Sequence, residues 1–338
     1  MEELHFVASV TRGASEIRRI RTLWEESGDV RNPLLRVLVT PLFTPPSTLR
    51  LIRQMRETGA VSEVWFDSGG YYVQMGRITY DEMYVRLLDF YRANTWADCY
   101  VLPDYVPTSS DSYDDVWHKV RRTADGGALF WSEMPEQLKP KALLVIHGHD
   151  VHQAEYCVAR YLAIGARRVG FGSFDTNGKA NSVNSVTSAS LDLMIHLRSI
   201  LHQSGIPLHA FGVGTPPVIY LLHKIGISSF DSVGWMKTAG YGKIYMPFVR
   251  AYNITYRDSG ARGLSYDAFQ KLKQVTGHSC YYCQSFETLR RDRFARIMHN
   301  LTVVLDTVQN VREDRVVVSR LFRQYSPYYA QLLEGLVQ

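Results

Sequence analysis

Cysteine is scarce in this chain: four among 338 residues, Cys99, Cys157, Cys280 and Cys283. Cys99 falls in an apolar strand-like run and Cys157 in a helix-like one, so both read as buried free thiols. That excludes a disulfide framework and points to a reducing cytoplasm. The N-terminus, MEELHFVASV, lacks the basic-then-apolar order of a signal peptide. No apolar run approaches the roughly 20 residues that span a bilayer, so no membrane partner is expected. Repeats of fixed period and low-complexity linkers are missing as well. Excess charge is slight, a formal +5 with pI near 8.9, which suits a polyanionic partner. Aromatics are plentiful: 21 tyrosines and 14 phenylalanines supply a sizeable core.

Short apolar runs alternate with longer amphipathic ones. Strands are expected at 35–40, 63–66, 98–102, 142–146, 168–171, 208–211 and 228–231. Helices are expected at 46–58, 79–94, 152–164, 190–204 and 216–225. Near-continuous apolar strands between helices mean parallel strands buried on both faces. Seven or eight such units favour a (β/α)8 TIM barrel. Residues 1–267 are expected to form this barrel, and 268–338 a zinc knuckle with helices that complete it. Acids, histidines and glycines gather after the strands: Asp67-Ser68-Gly69-Gly70, Asp104, His147-Gly148-His149-Asp150, Gly172-Ser173, Gly212-Val213-Gly214 and Asp231-Ser232. In a barrel those ends converge on one face, where such enzymes keep their sites.

The stretch 276–299 carries Cys280 and Cys283 at C-x2-C, with His278 two residues earlier and His299 fifteen intervening residues later. Four N or S ligands at such spacing suit Zn2+, and a site closed by four protein ligands is structural. The chemistry then lies elsewhere. His147-Gly148-His149 also has the H-x-H form of metal-dependent barrel hydrolases, with Asp231 as a late ligand and His209 inside a strand; this is the lesser alternative.

These motifs resemble the guanine transglycosylases, the tRNA-guanine and DNA 7-deazaguanine branches together, from about Val61 to His299. Asp67-Ser68-Gly69-Gly70 resembles the family's DSGG. Phe211-Gly212-Val213-Gly214 is similar to its (M/F)GVG turn, Phe230-Asp231-Ser232 to its nucleophile segment, and His299-Asn300-Leu301 to the HNL that ends its zinc stretch. The resemblance implies a zinc-bearing TIM barrel that exchanges a base at a nucleoside. Asp231 would attack C1′ as nucleophile, and Asp67 would be the general acid/base. Ser68, Gly69, Asp104, His147, Gly148, Gly170, Gly172 and Gly212 would surround the base. Asp104 would accept from guanine N1–H and N2–H2, and His147 and the N–H groups of 170–172 would donate to O6. Lys237 and Lys243, read as parts of a Gly-rich loop, would hold phosphates. Arg290, Arg291, Arg293 and Arg296 would do the same from one helix, while Tyr71, Tyr72 and Trp235 would stack on the base. The polar segment 172–190 reads as a loop over the face.

The departures from the family's pattern point to a distant branch. His147 stands for a glutamine, Tyr72 for another, His278 for a first knuckle cysteine, and 173–177 for a GE-type turn. No added C-terminal RNA-binding domain is visible. The expectation is exchange of guanine in DNA for a free 7-deazaguanine, with 7-cyano-7-deazaguanine as the incoming base. Action on tRNA is the alternative, and a non-catalytic nucleic-acid-binding subunit a further one. A homodimer or accessory modification proteins are expected partners.

Overall fold

A computed structural model describes residues 3–10, 13–176, 184–255 and 263–336. The chain runs β1 (His5–Ser9), α1 (Ala14–Ser27), β2 (Arg36–Val39), α2 (Pro46–Glu57), β3 (Glu63–Phe66), α3 (Gly70–Gln74), α4 (Tyr80–Ala93), β4 (Cys99–Val101) and α5 (Tyr113–Glu133). It continues β5 (Ala142–Ile146), α6 (Val151–Ala163), β6 (Val169–Phe171), α7 (Ser188–Gln203), β7 (Leu208–Ala210), α8 (Pro216–Lys224) and β8 (Ser229–Ser232). The eight strands close in order into a parallel barrel, with β8 pairing β1. This is a (β/α)8 TIM barrel. The seven expected strands are all present. β1 is not among them: its short HFVAS run finds its partners only across the closed ring.

Side chains alternate between two cores. Val7, Leu38, Trp65, Cys99, Val101, Leu143 and Val145 fill the barrel's interior. Their neighbours Phe6, Ala8, Val37, Phe66, Leu144 and Phe230 pack outward against the helices. The strand period of two then fixes what lines the C-terminal mouth. Two residues beyond Val7, Leu38, Trp65 and Val145 come Ser9, Thr40, Asp67 and His147, and Asp231 lies level with Val7.

After β8 come α9 (Gly234–Gly240), an antiparallel hairpin of β9 (Lys243–Met246) and β10 (Val249–Asn253), then α10 (Tyr266–Thr276). Beyond the knuckle lie α11 (Phe286–Arg291), α12 (Arg293–Gln309), α13 (Arg315–Tyr325) and α14 (Pro327–Gly335). α12 packs against α1, α8, α9 and β1, and so takes the place of the barrel's last helix. The expected loop 237–243 is instead the end of α9, a turn, and the start of β9. Two glycines made it read as loop, yet Asn300 ties it down, its Oδ1 accepting from Tyr245 N–H and its Nδ2 donating to the Trp235 and Lys243 carbonyls.

The arginines do not form one phosphate-facing stripe. Asp292 ends α11 and caps α12 by accepting from Phe294 N–H at 2.7 Å. Arg296 is buried and donates to the carbonyls of Ala239, Leu289 and Arg290. Arg293 pairs with Glu16, and Arg290 and Arg291 with Glu287. Trp235 is no stacking platform either: it is wholly buried, with its indole N–H on Ser232 O.

Candidate active site

Two acids face the barrel mouth from opposite halves of the chain. Asp231, on β8, is buried and accepts three hydrogen bonds. Ser9 Oγ donates to its Oδ2 at 2.5 Å. Gly212 N–H donates to Oδ1 at 2.7 Å, and His209 Nε2 lies 3.3 Å from the same oxygen. Gly212 can aim its N–H this way because it turns the chain at φ 66°, in the left-handed region. Asp67 follows β3, and Thr40 Oγ1 donates to its Oδ2 at 2.8 Å. Asp67 keeps some accessible surface, yet protein atoms crowd its carboxyl. Burial first, then the charges of Asp104 and Asp231, raise its pKa from 3.8 to about 7. The two acids and Asp104 thus bear on one another electrostatically.

Asp104 forms the site's other centre. Ser68 Oγ donates to its Oδ1 at 2.5 Å, and His147 Nε2 meets its Oδ2 at 2.8 Å. His147 Nδ1 lies 3.0 Å from Ser173 Oγ, which itself accepts Gly148 N–H at 2.9 Å. The Asp104 carboxylate accepts, which assigns the ring proton to Nε2 and leaves Nδ1 to accept from Ser173 Oγ. Both ring nitrogens are spent. The expected donation from His147 to a base oxygen is therefore corrected: His147 orients Asp104 instead. Gly172 N–H is likewise used, on Ile146 O at 3.1 Å. Gly172 serves by its lack of a side chain, since a Cβ there would stand 2.7 Å from His147 Cε1. Gly170 lies in the β6 ladder between β5 and β7, where Phe211 packs on it. Gly69, at φ 93°, leads into α3.

On the rim, Tyr71 is partly exposed with Lys237 Nζ 5.7 Å from its ring centre, joining the β3 and β8 sides. Tyr72 stacks on Phe43 at 3.7 Å. Lys243 is exposed at the start of β9. In the segment 172–190, Asp175 and Ser185 bridge and Thr187 caps α7; 177–183 lie outside the described residues. Sequence reasoning gave no role to Ser9, Thr40 and Ser173, and noted His209 only as lying inside a strand.

The metal ligands converge. His278, Cys280, Cys283 and His299 offer donor atoms all within 4.8 Å of one another. Both sulfurs lie 3.5–3.6 Å from His299 Nδ1, near the edge of a Zn2+ tetrahedron. Each histidine spends its second nitrogen on a neighbour: His278 Nδ1 on Asp306 at 2.9 Å, His299 Nε2 on Tyr245 O at 2.9 Å. That leaves His278 Nε2 buried with no partner, as a metal-bound nitrogen would be. The residues fit a closed, structural site. Among the described residues this is the one such group, so His147, His209 and Asp231 do not gather as the metal-hydrolase alternative requires.

No family model matches this chain, and no curated protein does.

The sign of the Asp67 shift has two consequences. A carboxyl raised in the folded state stabilises the fold below its ordinary pKa and loses that contribution as pH rises through about 7. Asp67→Asn is therefore expected to melt above the wild type at pH 8, with the difference vanishing near pH 4. Calorimetry at both values checks it. Any activity that needs the Asp67 proton is expected to fall about tenfold per unit above pH 7.

Proposed function

We propose that this protein is a base-exchange transglycosylase that replaces guanine in DNA with a free 7-deazaguanine, 7-cyano-7-deazaguanine being the incoming base. The observation that carries the reading is the pairing of two carboxyls with different surroundings. Asp231 is held by three donors, and Asp67 is poised near neutrality by burial.

In the first step Asp231 Oδ2 forms a bond to C1′ while the C1′–N9 bond breaks. The electron pair leaves on the base nitrogen, which takes the Asp67 proton. In the second, Asp67 removes N9–H from the incoming 7-deazaguanine, N9 attacks C1′, and Asp231 leaves as carboxylate. One proton returns to Asp67, so the cycle needs no other reactant. Asp104 accepts from the donor edge of the base, with Ser68 and His147 fixing its plane. Because the target atom is out of reach inside a duplex, the nucleotide is flipped out or met in a single strand. Tyr71 and Lys237 stand at the rim where the extruded strand would pass. The closed zinc site holds the fold and takes no part in the exchange.

His147 and His278, each replacing the commoner residue of the tRNA branch, support the DNA assignment. Incubation with plasmid, tRNA and labelled guanine or 7-cyano-7-deazaguanine tests it: label is expected in plasmid. Label in tRNA alone overturns DNA as substrate, and label in neither overturns exchange.

A further inference from the structure

The barrel interior holds a histidine that the exchange chemistry leaves unused. His209 is 2 % exposed, one layer below Asp231, with Trp65 at 5.0 Å and Phe211 at 4.5 Å between ring centres. Its register partner on β8 is Ser229, and Nδ1 lies 2.8 Å from Ser229 Oγ. Its Nε2 faces Asp231 Oδ1. On its far side a cavity of about 220 Å3 opens at the other end of the barrel, lined by His5, Arg36, Glu63, Trp65 and Arg168 among others. His209 thus lies in the packed barrel interior between that cavity and Asp231.

We infer that His209, with Ser229, is the positioning residue that commits Asp231 to attack through Oδ2. Ser229 gives its proton to Nδ1, which leaves Nε2–H to donate to Oδ1. Gly212 N–H donates to Oδ1 as well, so this oxygen is turned toward fixed donors. Among the described residues Oδ2 is held only by Ser9, a hydroxyl that can rotate away as the bond to C1′ forms. In the glycosyl-enzyme ester, Oδ1 becomes the carbonyl oxygen and keeps both donors. When the incoming base displaces Asp231, charge returns to a carboxylate those donors already face, without rearrangement. A charged imidazolium is disfavoured here, since burial lowers the His209 pKa from its ordinary 6.5 and Arg168 adds to it, against the Asp231 hydrogen bond. The role deepens the proposed exchange reaction and rests on it.

The test uses the full chain with His209→Phe, which keeps a ring in the barrel interior and removes both nitrogens, and His209→Gln, which restores one N–H. In His209→Phe, kcat is expected to fall about 10²-fold, with KM for free guanine within about twofold, because Asp104 and Ser68 hold the base. His209→Gln should recover at least a tenth of wild-type kcat. A His209→Phe protein with kcat within about threefold of wild type overturns the role, as does a KM that rises as far as kcat falls. Should that variant not fold, judged by its melting point and metal content, Ser229→Ala takes its place with an expected loss of about tenfold in kcat. Nitrogen-15 shifts of the wild-type ring give an independent readout: protonated Nε2 with bare Nδ1 supports the assignment, and the reverse tautomer overturns it. The shifts need no activity. A wild type that exchanges no base defeats the transglycosylase reading while the tautomer still decides how Asp231 is held.

Discussion

Asp231→Asn protein is expected to fold, bind the free base, and transfer none of it: kcat should fall at least about 10⁴-fold, and no covalent nucleic-acid adduct should survive denaturation. The substitution is nearly isosteric, and the pocket accommodates it. An amide oxygen can take the place of Oδ1, where Gly212 N–H and His209 donate. The amide NH2 then falls where Oδ2 stood, and Ser9, a hydroxyl, turns from donor to acceptor. What the variant lacks is the anionic oxygen that must bond C1′. Asp104, fixed by Ser68 and His147, belongs to another strand end and should hold the base unchanged, so the Kd for guanine is the control. Gel analysis of trapped adducts, beside label incorporation, checks both halves. A variant retaining more than about a tenth of wild-type exchange would exclude Asp231 as nucleophile.

Loss of the metal should be as damaging to the fold as loss of Asp231 is to the chemistry. The protein is expected to carry one Zn2+ per chain, and stripping it or making Cys283→Ser to lower the melting point by about 10 °C or more. The ligands come from two places: the knuckle around Cys280–Cys283, and α12, which closes the barrel. Without the ion, His278 Nε2 is a buried polar atom with nothing to bond, and the sulfurs of half-buried Cys280 and buried Cys283 face each other at 3.2 Å. The support reaches further, since Asp306 joins His278 Nδ1 to Arg31, which in turn holds Asp29. Asp306→Ala should therefore weaken Zn2+ about 10–100-fold while leaving the ligands in place. Metal analysis and melting curves check these results. A metal-free protein with an unchanged melting point would overturn them.

Seven strands were legible because each is a short apolar run bounded by turn residues, and their ends carried Asp67, Asp104, His147 and Asp231 in plain view. The four candidate metal ligands were legible because three of them lie within six residues, 278–283. β1 was not, because HFVAS has no local mark of a strand. Ser9 went with it, a hydroxyl that says nothing in sequence until ring closure sets it against Asp231. Thr40 ended an expected strand, and only the β2–β3 register sets it against Asp67. His147 was expected to meet a base oxygen, whereas its nitrogens reach Asp104 and Ser173, the latter from the next strand end and silent in sequence. Trp235 and Arg296 misled in the opposite way, their types suggesting contact with nucleic acid while packing had already claimed them.

The hydrogen bond from Ser9 to Asp231 joins residues 222 positions apart, across the seam where the first strand meets the last. The reaction centre is thus a suture between the ends of the ring. A chain still emerging from the ribosome, or one whose barrel has sprung open, has an acid at 231 with no hydroxyl to hold it and no fixed distance to Asp67. On the proposed exchange reaction, tying chemistry to the final stitch leaves half-made or damaged copies inert toward nucleic acid.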